Sequence, residues 1–254
     1  MKKIRQQFAV YEDRKARIPI NKNIAKFGII SDTHIGSKYQ QISFLKWFYK
    51  YIKGRGAKFV LHAGDISDGE FVYPSQQYEV FLQGVSQQAE YIIKNYPSCL
   101  PTYFITGNHD TRAFEISGVD IGKIISDNRP DMFYLGQLGA YVYFGGVKAY
   151  LVHPLGIQAY AISYKAQKLI EAFSTENKPN LLIIGHFHQA YQLFVRNVYA
   201  LGGGGFQGQT PYLRRKAVFP IIGGYYIEVL FDKRGIGTFR FEFVPMYKPK
   251  LNDY

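Results

Sequence analysis

Histidine and acidic residues in this sequence occur in short clusters, each of which follows an apolar run. Five of the six histidines lie in such clusters, at His34, His109, His153, His186 and His188. The same clusters contain Asp32, Asp65 and Asn108. Imidazole nitrogens with carboxylate and amide oxygens form a ligand set without thiolate, which suits Mn, Fe, Zn and similar ions. The pattern therefore indicates a metal centre.

The clusters hold more candidate ligands than one ion needs. One metal takes about four protein ligands or fewer, so we expect two ions that share a bridging ligand. A carboxylate is the usual bridge, because its oxygens can be shared and its charge offsets both ions. Two ions about 3.5–4 Å apart can clamp the oxygens of an in-line displacement at phosphorus. The expected chemistry is therefore hydrolysis of a phosphate ester.

Strands must bring these clusters together. We predict apolar strands at residues 27–30, 59–61, 102–106, 147–152 and 181–184, each ending at a cluster. Helices are predicted at 41–53, 76–94, 114–126 and 160–173, and further strands at 132–135, 139–144, 190–195, 197–201, 224–231 and 236–244, with a glycine-rich loop at 202–205. Strand–helix alternation favours parallel pairing in the first half of the chain. Sites in such sheets form outside the carboxyl ends of the strands, so we expect the clusters to meet at one edge.

In chain order the clusters read Asp-x-His, Gly-Asp, Gly-Asn-His-Asp, His and Gly-His-x-His. This order resembles the calcineurin-like metallophosphoesterase superfamily, and the resemblance spans residues 27–188. It implies an α/β fold, a four-layer αββα sandwich of two mixed β-sheets flanked by helices. It also implies two divalent metal ions. We expect Mn²⁺, with Fe, Zn, Ni or Mg as alternatives.

The resemblance further assigns roles to the clustered residues. Asp32, His34 and His188 would bind one ion, Asn108, His153 and His186 would bind the other, and Asp65 would bridge them. The nucleophile would be a metal-bound hydroxide. His109 would not be a ligand: it would stabilise the transition state or protonate the leaving oxygen, with Asp110 orienting it.

Four nearby residues have competing interpretations. Asp110 is also a candidate helix N-cap. His62 is expected to have a structural role or to support a ligand from behind, and Asp68 is either such a support or a solvated loop residue. Arg112 could grip a phosphate oxygen or could be an ordinary surface arginine of a helix.

Charge and composition bear on the location of the protein and on its partners. The net charge is +12, and residues 1–26 carry eight basic residues against two acidic ones. We predict a basic N-terminal extension at 1–25 and a single metallophosphoesterase domain at 26–254. The lone cysteine, Cys99, excludes a disulfide within the chain and a cysteine-based metal cluster. The sequence contains neither a signal peptide nor a membrane-spanning run, so we expect a cytoplasmic protein without membrane insertion.

The positive charge favours a polyanion as substrate. Tyr212 with Arg214, Arg215 and Lys216 would suit a nucleic-acid strand, with a base stacked and phosphates paired. A tight β-turn with basic residues at its edge is the alternative for that segment.

The resemblance leaves several phosphoester substrates open. Gly69 and Asp110 depart from the protein-phosphatase pattern, which usually has Arg and Glu at these positions. The Asp-terminated motif is similar to the Mre11/SbcD-type nucleases, although the long C-terminal capping region of those nucleases is missing. We therefore expect a nuclease or nucleic-acid phosphodiesterase. The alternatives are a small-molecule phosphatase or cyclic-nucleotide phosphodiesterase, and a non-catalytic interaction scaffold like the retromer subunit of this fold.

Overall fold

The computed structural model describes residues 15–157 and 159–254. The strands are β1 (Lys15–Arg17), β2 (Ile24–Ile30), β3 (Phe59–Ala63), β4 (Thr102–Thr106), β5 (Met132–Gln137), β6 (Gly139–Phe144), β7 (Val147–Val152), β8 (Leu181–Ile184), β9 (Ala190–Val195), β10 (Val198–Gly203), β11 (Gly223–Asp232) and β12 (Gly235–Pro245). The helices are α1 (Ile42–Gly54), α2 (Val85–Asn95), α3 (Asn108–Ser117), α4 (Ile121–Asn128), α5 (Tyr164–Ala172) and the short α6 (Pro211–Arg215), with a 3₁₀ turn at Gln76–Tyr78.

The described strands form two mixed sheets of six strands each. One has the order β1-β6-β7-β8-β10-β9 and the other β12-β11-β2-β3-β4-β5. In the second sheet β2, β3, β4 and β5 are parallel, whereas β11 is antiparallel to both β2 and β12. In the first sheet β7, β8 and β10 are parallel. The carboxyl ends of β2, β3, β4, β7 and β8 therefore lie at the edge where the candidate ligands follow.

The two sheets pack face to face over an apolar core. Phe27 and Phe59 of the second sheet stack with ring centroids 5.0 Å apart. Phe144 of the first sheet meets them edge-on, at 5.2 Å and 5.5 Å. All three rings are buried, and such pairs add about 0.5–1.5 kcal/mol to the free energy gained from area burial. Because these contacts join strands of different sheets, they hold the sandwich together.

Helices cover both outer faces. Helix α1 buries Leu45, Phe48 and Ile52, spaced three and four residues apart, in a core shared with α2, α4 and the second sheet. Helix α5 packs Ala166 and Ile170 on the first sheet. The predicted four-layer αββα sandwich is thereby confirmed. Within the described ranges, no helix is long and apolar enough to cross a membrane.

Three of the predicted apolar strands are central in the sheets: β2 and β3 lie in the middle of one sheet and β8 in the middle of the other. Two helix predictions were wrong. The segment 76–94 divides into the 3₁₀ turn and α2, because Gly84 between them has a φ of 98°. The segment 114–126 divides into α3 and α4 at Gly118, whose φ is 72°.

The structure also bears on the predicted glycine-rich loop at 202–205 and on the predicted N-terminal extension. Gly202 and Gly203 are the last residues of β10 rather than part of a loop. Of the extension predicted at 1–25, residues 1–14 lie outside the described residues. Residues 15–17 pair with β6 as an edge strand, and β2 begins at Ile24.

Candidate metal centre

The first group of candidate ligands joins the loop after β2 to the loop after β8. Asp32, His34 and His188 are buried, and their ligand atoms lie within 4.8 Å of one another. The Nε2 atoms of His34 and His188 are 3.1 Å apart. Oδ1 of Asp32 is 3.6 Å from Nε2 of His188 and 3.9 Å from Nε2 of His34. Ligand atoms about 2.1 Å from one ion lie about 3.0–3.4 Å apart, so these spacings fit a single cation with small adjustment.

The second group joins the ends of β3, β7 and β8 to the start of α3. Asp65, His153 and His186 have ligand atoms within 4.8 Å of one another. Nε2 of His153 lies 3.1 Å from Oδ2 of Asp65 and 3.2 Å from Oδ1 of Asn108. The same Oδ2 of Asp65 is 3.8 Å from Nε2 of His34, in the first group. One carboxylate oxygen therefore lies between both groups, as a bridging ligand must.

The hydrogen bonds of the histidines indicate which nitrogens are free to bind an ion. Nδ1 of His153 contacts the Ala63 carbonyl at 2.7 Å, and Nε2 of His186 contacts the Gly156 carbonyl at 2.7 Å. A carbonyl can only accept, so these nitrogens carry the protons. The lone pairs of the opposite nitrogens remain for a ligand. On His153 that lone pair faces Asp65 and Asn108 oxygens, an arrangement that needs a cation or an extra proton between them.

His34 follows the same rule. Its Nδ1 donates to Oδ1 of Asp68 at 3.1 Å, which leaves Nε2 toward Asp32 and His188. Outer carboxylates of this kind fix the ring and its tautomer in metal sites. On the other side, Nδ1 of His188 is buried without a hydrogen-bond partner among the described residues. The donor set as a whole is short of positive charge, which two divalent ions would supply.

Burial opposes negative charge in this centre. It raises the pKa of Asp32 to about 7. Burial also acts to lower the pKa of His153, but the adjacent Asp65 carboxylate raises it to about 9. In the protein without ions, protons thus offset part of the carboxylate charge. Bound cations would take over that role.

Five of the candidate ligands have an unusual backbone. Residues Asp32, His34, Asp65, His186 and His188 all have positive φ, between 44° and 78°. The left-handed region costs a non-glycine residue about 1–3 kcal/mol and persists where surrounding structure enforces it. Such strain clusters at functional sites, so it supports the assignment independently of residue type.

Close approach also restricts the Gly-Asn-His-Asp segment. A Cβ on Gly107 would lie 2.2 Å from Oδ1 of Asp65 and 2.7 Å from Cε1 of His153. Next to it, the backbone N–H of His109 donates to the same Oδ1 at 2.9 Å. The start of α3 therefore packs directly against the central carboxylate.

His109 lies beside the first group of ligands. Its ring is 4.5 Å from that of His34, centroid to centroid, and its side chain is 14% exposed. Nδ1 donates to the backbone carbonyl of Asp68 at 2.6 Å, and the Asp68 carboxylate is 4.0 Å away. The opposite nitrogen, Nε2, is therefore the one available for proton transfer.

The predicted pairing of Asp110 with His109 was wrong. The Asp110 carboxylate accepts hydrogen bonds from the backbone of Ile66, Ser67 and Gly107 and from the Ser67 hydroxyl, at 2.6–3.0 Å. It closes the first turn of α3 from the third helical position and holds the loop that follows Asp65. The N-cap residue itself is Gly107, so the N-cap interpretation of Asp110 was also wrong. The residue that fixes the His109 ring is Asp68.

Asp68 is an organising residue whose partners sequence reasoning missed. Its side chain is buried and accepts from Nε2 of Gln76 at 3.2 Å and of Gln207 at 2.9 Å, besides His34. Neither glutamine belongs to a motif, so no sequence signal marks them. His62 serves the fold: Nδ1 accepts from the Gly64 N–H, and Nε2 contacts the Thr33 hydroxyl at 3.1 Å.

The residues predicted to contact substrate differ in their surroundings. Nη1 of Arg112 pairs with Glu115 at 2.8 Å on the exposed side of α3, and its Nε donates to the Phe71 carbonyl. The segment that carries Arg214 and Arg215 is the short helix α6 and not a β-turn, and both side chains are exposed. The backbone N–H of Tyr212 donates to Glu79.

An aromatic row connects α6 with the candidate centre. The rings of Tyr212 and Tyr73 stack with centroids 4.0 Å apart, and Tyr73 is 6.1 Å from the His109 ring. Nη2 of Arg215 donates to the Ser75 hydroxyl at 3.0 Å. The rings of Tyr212 and Tyr73 therefore form a continuous line of contacts from helix α6 to His109.

Comparison with known proteins supports the fold. The DNA polymerase II small subunit of Archaeoglobus fulgidus is 27% identical over 256 residues, covering 81% of this chain and 52% of that protein. The corresponding subunit of Methanothermobacter thermautotrophicus is 24% identical over 246 residues, covering 76% and 50%. The chain thus spans about half the length of these curated relatives. A solved structure described as a novel archaeal phosphodiesterase has a similar fold, with a TM-score of 0.50, 15% identity and coverage of 86% of this chain and 99% of that one.

The family model for calcineurin-like phosphoesterases matches residues 25–190, the span that contains every candidate ligand. With the ligand order along the chain and the two groups meeting at Asp65, that match makes this chain a member of the calcineurin-like phosphoesterase family.

Proposed function

We propose that this protein is a divalent-cation-dependent phosphodiesterase that acts on nucleic acid. The observation that carries the proposal is the position of the Asp65 carboxylate between two groups of buried ligands, 3.1 Å from His153 and 3.8 Å from His34. The donors fit two cations, and none of the seven predicted ligands lies outside the centre. Two divalent ions would supply an activated water and offset charge on the phosphate.

The chain's own residues supply orientation and a proton route. His109 has its Nδ1 fixed by the Asp68 carbonyl, so its Nε2 can exchange a proton with the leaving oxygen. The carbonyl contact and the neighbouring His34 ring hold the imidazole in place. A positioned side chain of this kind contributes about 10²–10⁴-fold to the rate.

The basic helix α6 favours a strand over a small phosphodiester. Arg214 and Arg215 of this helix and Lys216 directly after it are exposed, and the row of Tyr212 and Tyr73 leads from the helix to His109. Cations pair with backbone phosphates, while aromatic rings stack on bases without sequence preference. A small phosphodiester has no further phosphates with which the arginines of α6 could pair.

A panel of substrates tests the proposal. The Mn²⁺-loaded protein is assayed on single-stranded DNA, double-stranded DNA, RNA and an aryl phosphodiester, each with an EDTA control. We expect metal-dependent cleavage of the aryl phosphodiester and of at least one nucleic acid, with strand affinity falling steeply with salt. Hydrolysis of small esters alone, without affinity for any strand, would favour the small-molecule enzyme.

A second function is favoured by the relatives. The two relatives described above are named as small subunits of a DNA polymerase, which implies a larger partner in that assembly. We propose that this chain also binds a DNA polymerase subunit. Co-purification with the polymerase subunit of the same cell tests this, and elution of both as separate species at micromolar concentration would contradict it.

A further inference from the structure

A groove of about 320 Å³ lies between the segment before β11 and the end of β12 with the residues that follow it. Its lining is apolar and aromatic, and comes mainly from Phe219, Pro220, Ile221, Pro245, Met246 and Tyr247. This volume is at the lower end of the range for small-ligand sites, about 300–1,000 Å³. Phe219 is 71% exposed and Tyr247 is 87% exposed, so both rings present open faces to solvent.

Backbone hydrogen bonds tie the groove to a candidate ligand. The N–H of Ile221 donates to the carbonyl of His188 at 2.8 Å. The two walls are joined by the N–H of Met246, which donates to the Ile222 carbonyl at 2.8 Å. The groove is therefore a fixed neighbour of the metal centre and not a separate surface.

The topology explains this placement. Strand β11 runs antiparallel to β2, so it begins at the edge where the loop after β2 carries Asp32. Strand β12 is antiparallel to β11 and ends at the same edge, with Pro245 opposite Gly223. The segments before β11 and after β12 thus flank the centre.

The surroundings of the groove are basic. Helix α6, which carries exposed Arg214, and the exposed Lys216 after it precede one wall. The other wall continues into exposed Lys248 and Lys250. An apolar, aromatic slot between cations matches a nucleotide, whose base is flat and apolar and whose phosphates are anionic. An apolar peptide would fill the slot but would leave the cations unused.

We propose that this groove is a nucleobase subsite, which holds the base next to the phosphate at the metal centre. The inference rests on the proposed function in one respect, that a nucleic-acid strand is the substrate. Stacking on Phe219 and Tyr247 would orient the strand without selecting a particular base. The groove would thus discriminate strands that carry bases from those that do not.

The test compares a 12-residue oligothymidylate with an abasic strand of the same length. Affinities are measured by fluorescence anisotropy with Mn²⁺-loaded protein on the His109→Ala background, which limits turnover. We expect the oligothymidylate to bind about tenfold tighter. Phe219→Ala and Tyr247→Ala should each reduce that preference several-fold and leave the abasic affinity unchanged. Both side chains are exposed, so the variants should fold.

Phe194→Ala is the matched control. Phe194 is 58% exposed and lies on β9, four residues along the strand from the end nearest the centre. The Phe194→Ala variant should retain the full preference for the strand that carries bases. Equal binding of the two strands by the parent protein would overturn the inference, and it is the result expected if the groove holds an apolar peptide. An undiminished preference for bases in both groove variants would also overturn it.

A separate measurement distinguishes failure of this inference from failure of the proposed function. With His109 intact, the parent protein and Phe194→Ala should hydrolyse an aryl phosphodiester at the same rate. Absence of hydrolysis by the parent protein itself would contradict the proposed function and would leave the strand-binding comparison interpretable.

Discussion

His109 lies next to the candidate ligands, yet its side chain is directed to the Asp68 carbonyl. His109→Ala should therefore keep both ions, because the backbone N–H that anchors Asp65 remains. Turnover should fall by about 10²–10⁴-fold, since the proton route is lost. Metal analysis and single-turnover kinetics check this. A metal-free variant would mean that His109 is a ligand.

Asp110 belongs to the support of the centre and not to its chemistry. Asp110→Ala would leave the buried backbone N–H groups of Ile66, Ser67 and Gly107 without their acceptor. We expect a loss of at least about 1–3 kcal/mol in the free energy of unfolding. Urea denaturation in EDTA measures this without a contribution from bound ions. Asp127→Ala, at an exposed position, should change stability by less than about 0.5 kcal/mol; equal effects of the two variants would contradict the structural role.

At the residue scale, the sequence predicted which residues gather at the centre better than it predicted the contacts between their side chains. Spacing and residue type selected Asp32, Asp65 and His153 as candidate ligands, because metal chemistry restricts ligands to few side chains, and the structure brings the three side chains to the same edge of the sheets. The role of Asp68 depends on which way the His109 ring turns, and neighbouring motifs give no sign of it. The same holds for Gln207, which reaches Asp68 from a segment 139 residues away.

At the element scale, the start of α3 must pack against Asp65. In Gly107→Ala the added methyl would overlap Oδ1 of Asp65, so the bridging carboxylate would have to move. We expect metal affinity to fall at least tenfold, the size of effect seen when support of a ligand is disturbed. Isothermal titration with Mn²⁺ measures it.

Gly54→Ala is the matched control for that prediction. It is the last residue of α1, and a Cβ there meets nothing within 4 Å. This variant should bind metal as the parent does. Unchanged affinity in Gly107→Ala would contradict the close packing of α3 on the centre.

The sequence predicted most elements because apolar runs and turn residues are local signals. Strands β4, β6, β7, β8 and β9 have the predicted bounds. The division of α3 from α4 was missed, since helical spacing continues across Gly118. The left-handed φ of Gly118 ends α3, and Asp120 caps the start of α4. The helical state of Pro211–Arg215 was also missed, although Thr210 caps it and Pro211 opens it.

At the scale of the whole molecule, the net charge of +12 should act through its distribution. Arg214→Glu with Arg215→Glu should weaken oligonucleotide binding and lower the salt slope by about 0.7 for each phosphate that is no longer paired with a cation. Hydrolysis of an aryl phosphodiester should change little, because charges beyond about 10 Å are screened at physiological salt. Anisotropy titrations at several salt concentrations measure the slope.

The β11–β12 turn offers a control with the same change in net charge. Lys233→Glu with Arg234→Glu alters two exposed residues at the end of the sheet away from the centre. Oligonucleotide affinity should fall much less than with the α6 pair. Equal losses of affinity would mean that net charge alone, and not α6, attracts the strand.

The central claim is that two cations share Asp65, and metal stoichiometry tests it most directly. The protein is loaded with Mn²⁺, desalted and analysed for metal per chain, in parallel with Asp65→Asn. We predict two ions per chain in the parent and loss from both sites in the variant, because the shared negative charge is removed. One ion per chain in the parent, or two in Asp65→Asn, would contradict the account.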